Sequence, residues 1–423
     1  MRVLLMAETC NPDWPSLPIV GYQTCKAIAD EADVVIATHV RNRPAIERVG
    51  FGRASVEYLD NEYIAAPLFR FGKWLRGGDQ LGWTTAMAAM WLPQIAFEWE
   101  VHKRFRAELQ AGAFDLVHRV TPMSPTLPSP MARWSPVPFV IGPLNGGLRW
   151  PGEFRAELHR EREHLRYLRE AYRLLPYYSS TFARARCILA AFQHTLDDLP
   201  RHERHKAIDF PEVGFDPKIF SCPDERPERQ QLIFLFVGRL VPYKCADLTI
   251  RAFGESDALR KHRLMIVGDG PELQRLRAMV QQYNLADCVD LVGPRSQSDV
   301  GELMRQADVF VFPSIRELGA GVVVEAMASG CVPVVVRYGA PGALVTDESG
   351  VRVDLKPKDD LVGDLRQALE GLADDRPRMR ELSRAAHERA LGRFAWNRKA
   401  LRFLEVYRWV LGQRAEKPMF DES

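Results

Sequence analysis

A chain of 423 residues is longer than one hydrophobic core usually covers, so two domains are the starting expectation. Its 46% hydrophobic and 26% charged residues are a globular composition, and a net charge of +2 lacks the basic excess of a nucleic-acid binder. Seven scattered cysteines with no Cys-x-x-Cys pair argue against a disulfide framework or zinc site and for a reducing compartment.

In chain order, Arg2 to Met6 reads as a buried strand, followed by a proline-bearing loop and a helix over Gly21 to Ala32. The apolar start meets Glu8 and Asn11 before it could form an export signal, so a cytoplasmic protein is expected. Val34 to Thr38 is the next strand. Residues 39–113 are irregular, with an aromatic segment holding Phe69, Phe71, Trp74, Trp83 and Trp91. Its uncharged run from Leu81 to Phe97 is interrupted by Gly82, Pro93 and Gln94 and is too short to span a bilayer. Phe114 to His118 and Val137 to Gly142 read as strands, Glu153 to Tyr172 as a charged helix, and Cys187 to Ala191 as a further strand.

From His194 to Gln231 the chain is polar and carries five prolines, which reads as a linker. The alternation then resumes with strands at Leu232–Val237, Leu264–Val267, Val289–Val292, Asp308–Phe312 and Val332–Val336. Helices are expected at Ala246–Phe253, Pro271–Gln282, Asp360–Leu372, Arg378–Leu391 and Arg398–Leu411. Strands alternating with helices predict an α/β protein with two parallel sheets.

Chemistry concentrates in the second half. After the Asp308–Phe312 strand comes a loop with Glu317, Gly319, Ala320 and Gly321, then a helix that holds Glu325 and stops at Gly330. A glycine-bearing loop opening a helix offers free N–H groups and the positive end of the helix dipole to a phosphate. Two carboxylates beside a phosphate suit hydroxyl groups instead, and a nucleotide sugar has both. Arg239 follows Gly238 at a strand end, and Lys244 lies five positions on. Those cations fit a departing diphosphate, although alone they would read as surface charges. Gly268-Asp-Gly270 lacks the third glycine of a dinucleotide fingerprint.

Gly238-Arg-Leu-Val-Pro-Tyr-Lys244, Ile266-Val-Gly-Asp-Gly-Pro271 and the Glu317/Glu325 stretch, in that order, resemble the retaining GT-B glycosyltransferases of family 4. The resemblance is strongest over residues 212–340 and reaches Trp396 and Tyr407. The first half, through Asp115-Leu-Val-His118 and Gly142-Pro-Leu-Asn-Gly-Gly147, looks like members from bacterial polysaccharide clusters. The resemblance implies two Rossmann-like domains facing a central cleft, residues 1–210 on the acceptor side and 211–395 binding the donor, with 396–413 crossing back. It implies that Arg239 and Lys244 grip the diphosphate, that Glu325 takes the ribose hydroxyls, and that Glu317 sits by the transferred sugar. Amides of Gly319, Ala320 and Gly321, together with Gly238, would contact sugar and phosphate. Gly21 would let the first domain approach the donor, and His118 or Asn145 would stand in for the family's active-site histidine. Two departures accompany it: Cys245 stands where the family has glycine, and Glu317-Leu-Gly-Ala shifts a loop glycine by one position.

The expected activity is hexosyl transfer from a nucleotide-diphosphate sugar to a sugar or lipid-linked sugar, without cofactor. Lacking an Asp-x-Asp, the chain is expected to need no metal. The alternatives are an epimerase or phosphorylase of the same fold and a non-catalytic glycan- or partner-binding relative. Aromatics in residues 69–97 and the arginines of residues 155–173 read either as a peripheral contact with the inner membrane face or as core and intrahelical ion pairs.

Overall fold

Seven strands form the first sheet: β1 (Arg2–Ala7), β2 (Asp33–His39), β3 (Ser55–Leu59), β4 (Leu116–Thr121), β5 (Phe139–Leu144), β6 (Cys187–Ala190) and β7 (Ala207–Asp209). All pair in parallel in the order β3-β2-β1-β4-β5-β6-β7. Six more form the second: β8 (Ile233–Val237), β9 (Arg263–Val267), β10 (Val289–Gly293), β11 (Val309–Phe312), β12 (Val332–Val336) and β13 (Val351–Val353), in the order β10-β9-β8-β11-β12-β13. Every registered pairing in that sheet is also parallel. The computed structural model describes residues 1–64, 67, 83–152, 154, 171–223 and 229–420.

The chain divides into two compact units: Met1–Gly147, Arg162–Glu212 and Lys399–Ser423 in one, Leu148–Glu161 and Val213–Arg398 in the other. In the first, β1 is buried on both faces. Val3, Leu5 and Ala7 pack with the Leu17–Glu31 helix and with Phe403, Val406, Tyr407 and Val410. Leu4 and Met6 pack on the other side with Phe97, Val101 and Phe105 of the Trp83–Gln110 helix. That two-sided burial is why parallel strands read as continuous apolar runs. The last helix, Trp396–Val410, begins at the end of the second unit's segment and its buried face from Phe403 onward belongs to the first unit's core. Leu401 of the same helix is 43% exposed.

The structure departs from the sequence expectation at several points. Residues 39–113 contain β3 and the 28-residue Trp83–Gln110 helix, which Pro93 does not break. The stretch read as a linker holds a helix (Phe192–Asp198), a 3-10 helix (Arg201–Lys206) and strand β7. The strands expected at 114–118 and 137–142 lie two residues later, as β4 and β5. Phe69, Phe71 and Trp74 and nearly all of the 155–173 helix lie outside the described residues. Among the described residues no helix is long and apolar enough to cross a membrane.

Candidate functional site

In an open parallel sheet, loops at the carboxyl ends of two neighbouring strands diverge where the strand order reverses, leaving a crevice for ligands. In the second unit that point falls between β8 and β11. Arg239 and Lys244 follow β8, and Glu317 follows β11. Topology therefore explains why these residues converge.

The loop after β8 is held in place by its neighbour. The Gly238 N–H donates to the Val267 carbonyl at 3.0 Å and the Leu240 N–H to the Asp269 carbonyl at 2.8 Å. A Cβ on Gly268 would lie 1.9 Å from the Gly238 carbonyl oxygen, so the Gly-Asp-Gly sequence serves close packing of two loops. A 3-10 turn at Pro242–Lys244 follows, and its Tyr243 carbonyl accepts from the Ile315 N–H at 3.0 Å and the Ser314 hydroxyl at 3.3 Å. These bonds tie the β8 loop to the β11 loop.

Lys244 Nζ donates to Glu317 Oε2 at 2.9 Å, and the two side chains are only 12% and 18% exposed. The same ammonium lies 4.8 Å from the centre of the Phe312 ring. Gly238 leaves room for the lysine stem, since a Cβ there would meet Lys244 Cδ at 3.2 Å. The sequence reading put Lys244 on a phosphate and Glu317 on a sugar as separate contacts; the structure joins them as one pair. Arg239 is exposed, and its Nη2 donates to the Tyr243 hydroxyl at 3.3 Å.

Glu325 sits in the fifth position of the Gly321–Ala328 helix. Burial pushes its carboxyl up to about 7, partly opposed by a hydrogen bond with the Gln297 side chain. A carboxyl with that value changes charge near neutral pH. The helix ends as its glycine predicted: Gly330 has φ 74°, its N–H reaches the Met327 carbonyl, and the Cys331 N–H reaches Ala326. At the other end Ala320, with φ 56° and ψ 44°, precedes the helix, with Gly319 on the loop before it and Gly321 as first helical residue. Cys245 likewise has φ 53°. At both departures from the family pattern the backbone is left-handed while the residue carries a Cβ, a conformation that glycine adopts without cost.

Three expected residues, His118, Gly21 and Asn145, belong to the first unit. His118 is fully buried on β4. Its Nε2 is 2.6 Å from the Gly142 carbonyl, which can only accept, so Nε2 carries the proton and Nδ1 accepts from the Tyr407 hydroxyl at 2.6 Å. Burial lowers its pKa to about 4 and keeps it neutral. With both nitrogens engaged inside the core, it is a packing residue. Gly21 lies within the Leu17–Glu31 helix, where a Cβ would be 2.4 Å from the Thr9 carbonyl, so it serves helix-to-loop packing. Asn145 is buried; its Nδ2 donates to Glu212 and its Oδ1 accepts from His194 Nε2 at 3.3 Å. His194, passed over in the sequence, also has its pKa lowered to about 4 by burial.

Residues 222–389 match the family model described as "Glycosyl transferases group 1". That matched stretch holds Gly238, Arg239, Lys244, Glu317, Gly319, Ala320, Gly321 and Glu325. Among curated proteins, the D-inositol 3-phosphate glycosyltransferase of Stackebrandtia nassauensis is 31% identical over 241 residues, 53% of each chain. That of Acidothermus cellulolyticus is 34% identical over 223 residues, 48% of each chain. The chain thus spans about half the length of the curated relatives it matches.

Among solved structures, sucrose-phosphate synthase from Thermosynechococcus elongatus superimposes with a TM-score of 0.62 at 18% identity, covering 98% of this chain and 100% of that one. Anabaena Alr3699/HepE, in complex with UDP and glucose, gives 0.60 at 16% identity, covering 96% and 99%. At such identity the likeness is one of fold, and the two-sheet protein has the GT-B fold.

Proposed function

We propose that the protein is a retaining glycosyltransferase. It moves a hexosyl group from a nucleotide-diphosphate sugar to an acceptor hydroxyl in bacterial polysaccharide or glycoconjugate synthesis. The observation that carries this is the Lys244–Glu317 pair at the β8/β11 switch point, with Arg239 on the same β8 loop and Glu325 in the helix that follows the β11 loop, all within the stretch that matches the family model. Arg239 and Lys244 bind the donor diphosphate and stabilise the charge that builds on it as the bond from the sugar's anomeric carbon to the phosphate oxygen breaks. Glu317 keeps Lys244 in position and takes a hydroxyl of the transferred sugar; Glu325 takes the ribose hydroxyls. Gly238 lets Lys244 lie close, and the amides of Gly319, Ala320 and Gly321 face the donor.

The acceptor hydroxyl bonds to the anomeric carbon on the face the diphosphate leaves, and its proton passes to the leaving phosphate oxygen. Much of the rate comes from holding donor and acceptor together. The reaction draws on no metal and no cofactor, so turnover survives EDTA. The unit built on β8–β13 takes the donor and the other takes the acceptor, a sugar or a lipid-linked sugar, at the cytoplasmic side.

A membrane-borne acceptor has one supporting observation. Trp99, His102, Trp134 and Tyr177 form a run of ring contacts at 5.3–6.4 Å, and Trp99 is 52% exposed. Rings at a surface suit the interface of a bilayer. Co-sedimentation with anionic vesicles at low and physiological salt separates this from a soluble acceptor.

The test of the main reading is a thermal-shift series with UDP, GDP and ADP, followed by hydrolysis of the matching nucleotide sugar. UDP comes first, because Alr3699/HepE was crystallised with it. A ligand raises the melting temperature of the fold that binds it. No shift with any of the three would remove the donor site from the reading.

A further inference from the structure

A segment far upstream in the chain completes the second unit's loops. Residues 148–152 belong to the same compact unit as β8–β13. The Trp150 ring meets the Tyr243 ring edge-on, with centroids 6.5 Å apart and planes at 88°. The Arg316 guanidinium lies over Trp150 at 4.9 Å. The Tyr338 hydroxyl donates to the Arg149 carbonyl at 2.7 Å, which fastens this segment to the loop after β12.

Trp150 therefore touches both loops that carry the donor residues. On the β8 side, Tyr243 immediately precedes Lys244, and its hydroxyl accepts from Arg239 Nη2 at 3.3 Å. On the β11 side, Arg316 immediately precedes Glu317. An exposed arginine samples many rotamers, and ordering it on a ligand weakens binding by about three- to tenfold unless it is held beforehand. An edge-on aromatic contact restricts the Tyr243 ring, and the ring's hydroxyl restricts the guanidinium.

We propose that Trp150 is a positioning residue for the donor diphosphate: through Tyr243 it holds Arg239 ready for the terminal phosphate, and through Arg316 it steadies the peptide that bears Glu317. This rests on the donor-site reading above. It assigns the Leu148–Trp150 stretch a function although that stretch lies outside the residues matched by the family model.

The test compares nucleoside diphosphate with nucleoside monophosphate binding, using whichever of UDP/UMP, GDP/GMP or ADP/AMP the unmodified protein binds, by calorimetry. Only the diphosphate presents a terminal phosphate to Arg239, so the ratio of the two affinities reports the arginine. Trp150→Ala is expected to lower that ratio about three- to tenfold, and Trp150→Phe to restore most of it. Equal losses for both nucleotides, or an unchanged ratio, would mean that Trp150 only packs and would overturn the proposal. Tyr243→Phe keeps the ring and removes the hydroxyl, so it tests the same link if Trp150→Ala does not fold; an unchanged ratio there also overturns it. If the unmodified protein binds none of the six nucleotides, the donor reading fails first.

Discussion

Replacing Glu325 with glutamine tests the site through stability as well as binding. Burial raises the carboxyl from 4.5 to about 7 in the folded protein. A raised acid pKa means that the folded state holds the proton more tightly than the unfolded state does. Below about pH 4.5 both states are protonated and the residue is neutral in its effect. Between about pH 4.5 and 7 the unfolded chain has given up a proton that the folded protein still holds, so stability falls across that window and levels off above 7, where the folded protein bears the buried charge. At 1.36 kcal/mol per unit the full effect is about 3 kcal/mol, an upper bound because part of the residue's surface is open to solvent. Glu325→Gln removes the titration and keeps the shape. It is therefore expected to melt several degrees higher than the unmodified protein at pH 8, with the difference vanishing near pH 4.5. In calorimetry at pH 8 it is expected to bind nucleotide about ten- to a hundredfold more weakly, since an amide accepts hydroxyl hydrogens less strongly than a carboxylate. Melting curves that coincide at pH 8, or a difference that persists unchanged to pH 4.5, would refute the account of a carboxyl charged at a cost.

Tyr407→Phe leaves His118 Nδ1 buried without its donor, so unfolding in denaturant should show a loss of about 1–3 kcal/mol while nucleotide binding is unchanged. Impaired nucleotide binding would return His118 to the site. Ala320→Val places a β-branched side chain at φ 56° and is expected to cost about 2 kcal/mol or more by thermal melting, whereas Ala320→Gly should be neutral or stabilise by up to about 1 kcal/mol. A stable Ala320→Val would mean that the loop readily adopts another backbone. Deleting residues 399–423 removes Phe403, Val406, Tyr407 and Val410 from the first unit's core and should abolish its cooperative unfolding by circular dichroism. A truncated chain that melts like the intact one would show that this helix is dispensable.

The second sheet was legible in the sequence almost strand by strand, because each buried parallel strand is a short run such as Val332–Val336 bounded by a loop. The loop glycines and cations around β8 and β11 were legible for the same local reason, since turn chemistry and motif spacing are written along the chain. The Trp83–Gln110 helix was not, because an internal proline reads as a breaker until the packing of Phe97, Val101 and Phe105 against the sheet is known. Nor was the role of His118: a histidine after a strand looks the same whether it faces a ligand or, as here, the Tyr407 hydroxyl 289 positions away. The pairing of Lys244 with Glu317, the charge state of Glu325 and the approach of Trp150 to Tyr243 likewise belong to tertiary structure alone. Residue order fixes periodicity and turn chemistry, which act over a few positions. Burial and contact partners arise only when distant segments close on one another, and these decide whether a polar side chain is a binding group or part of the core.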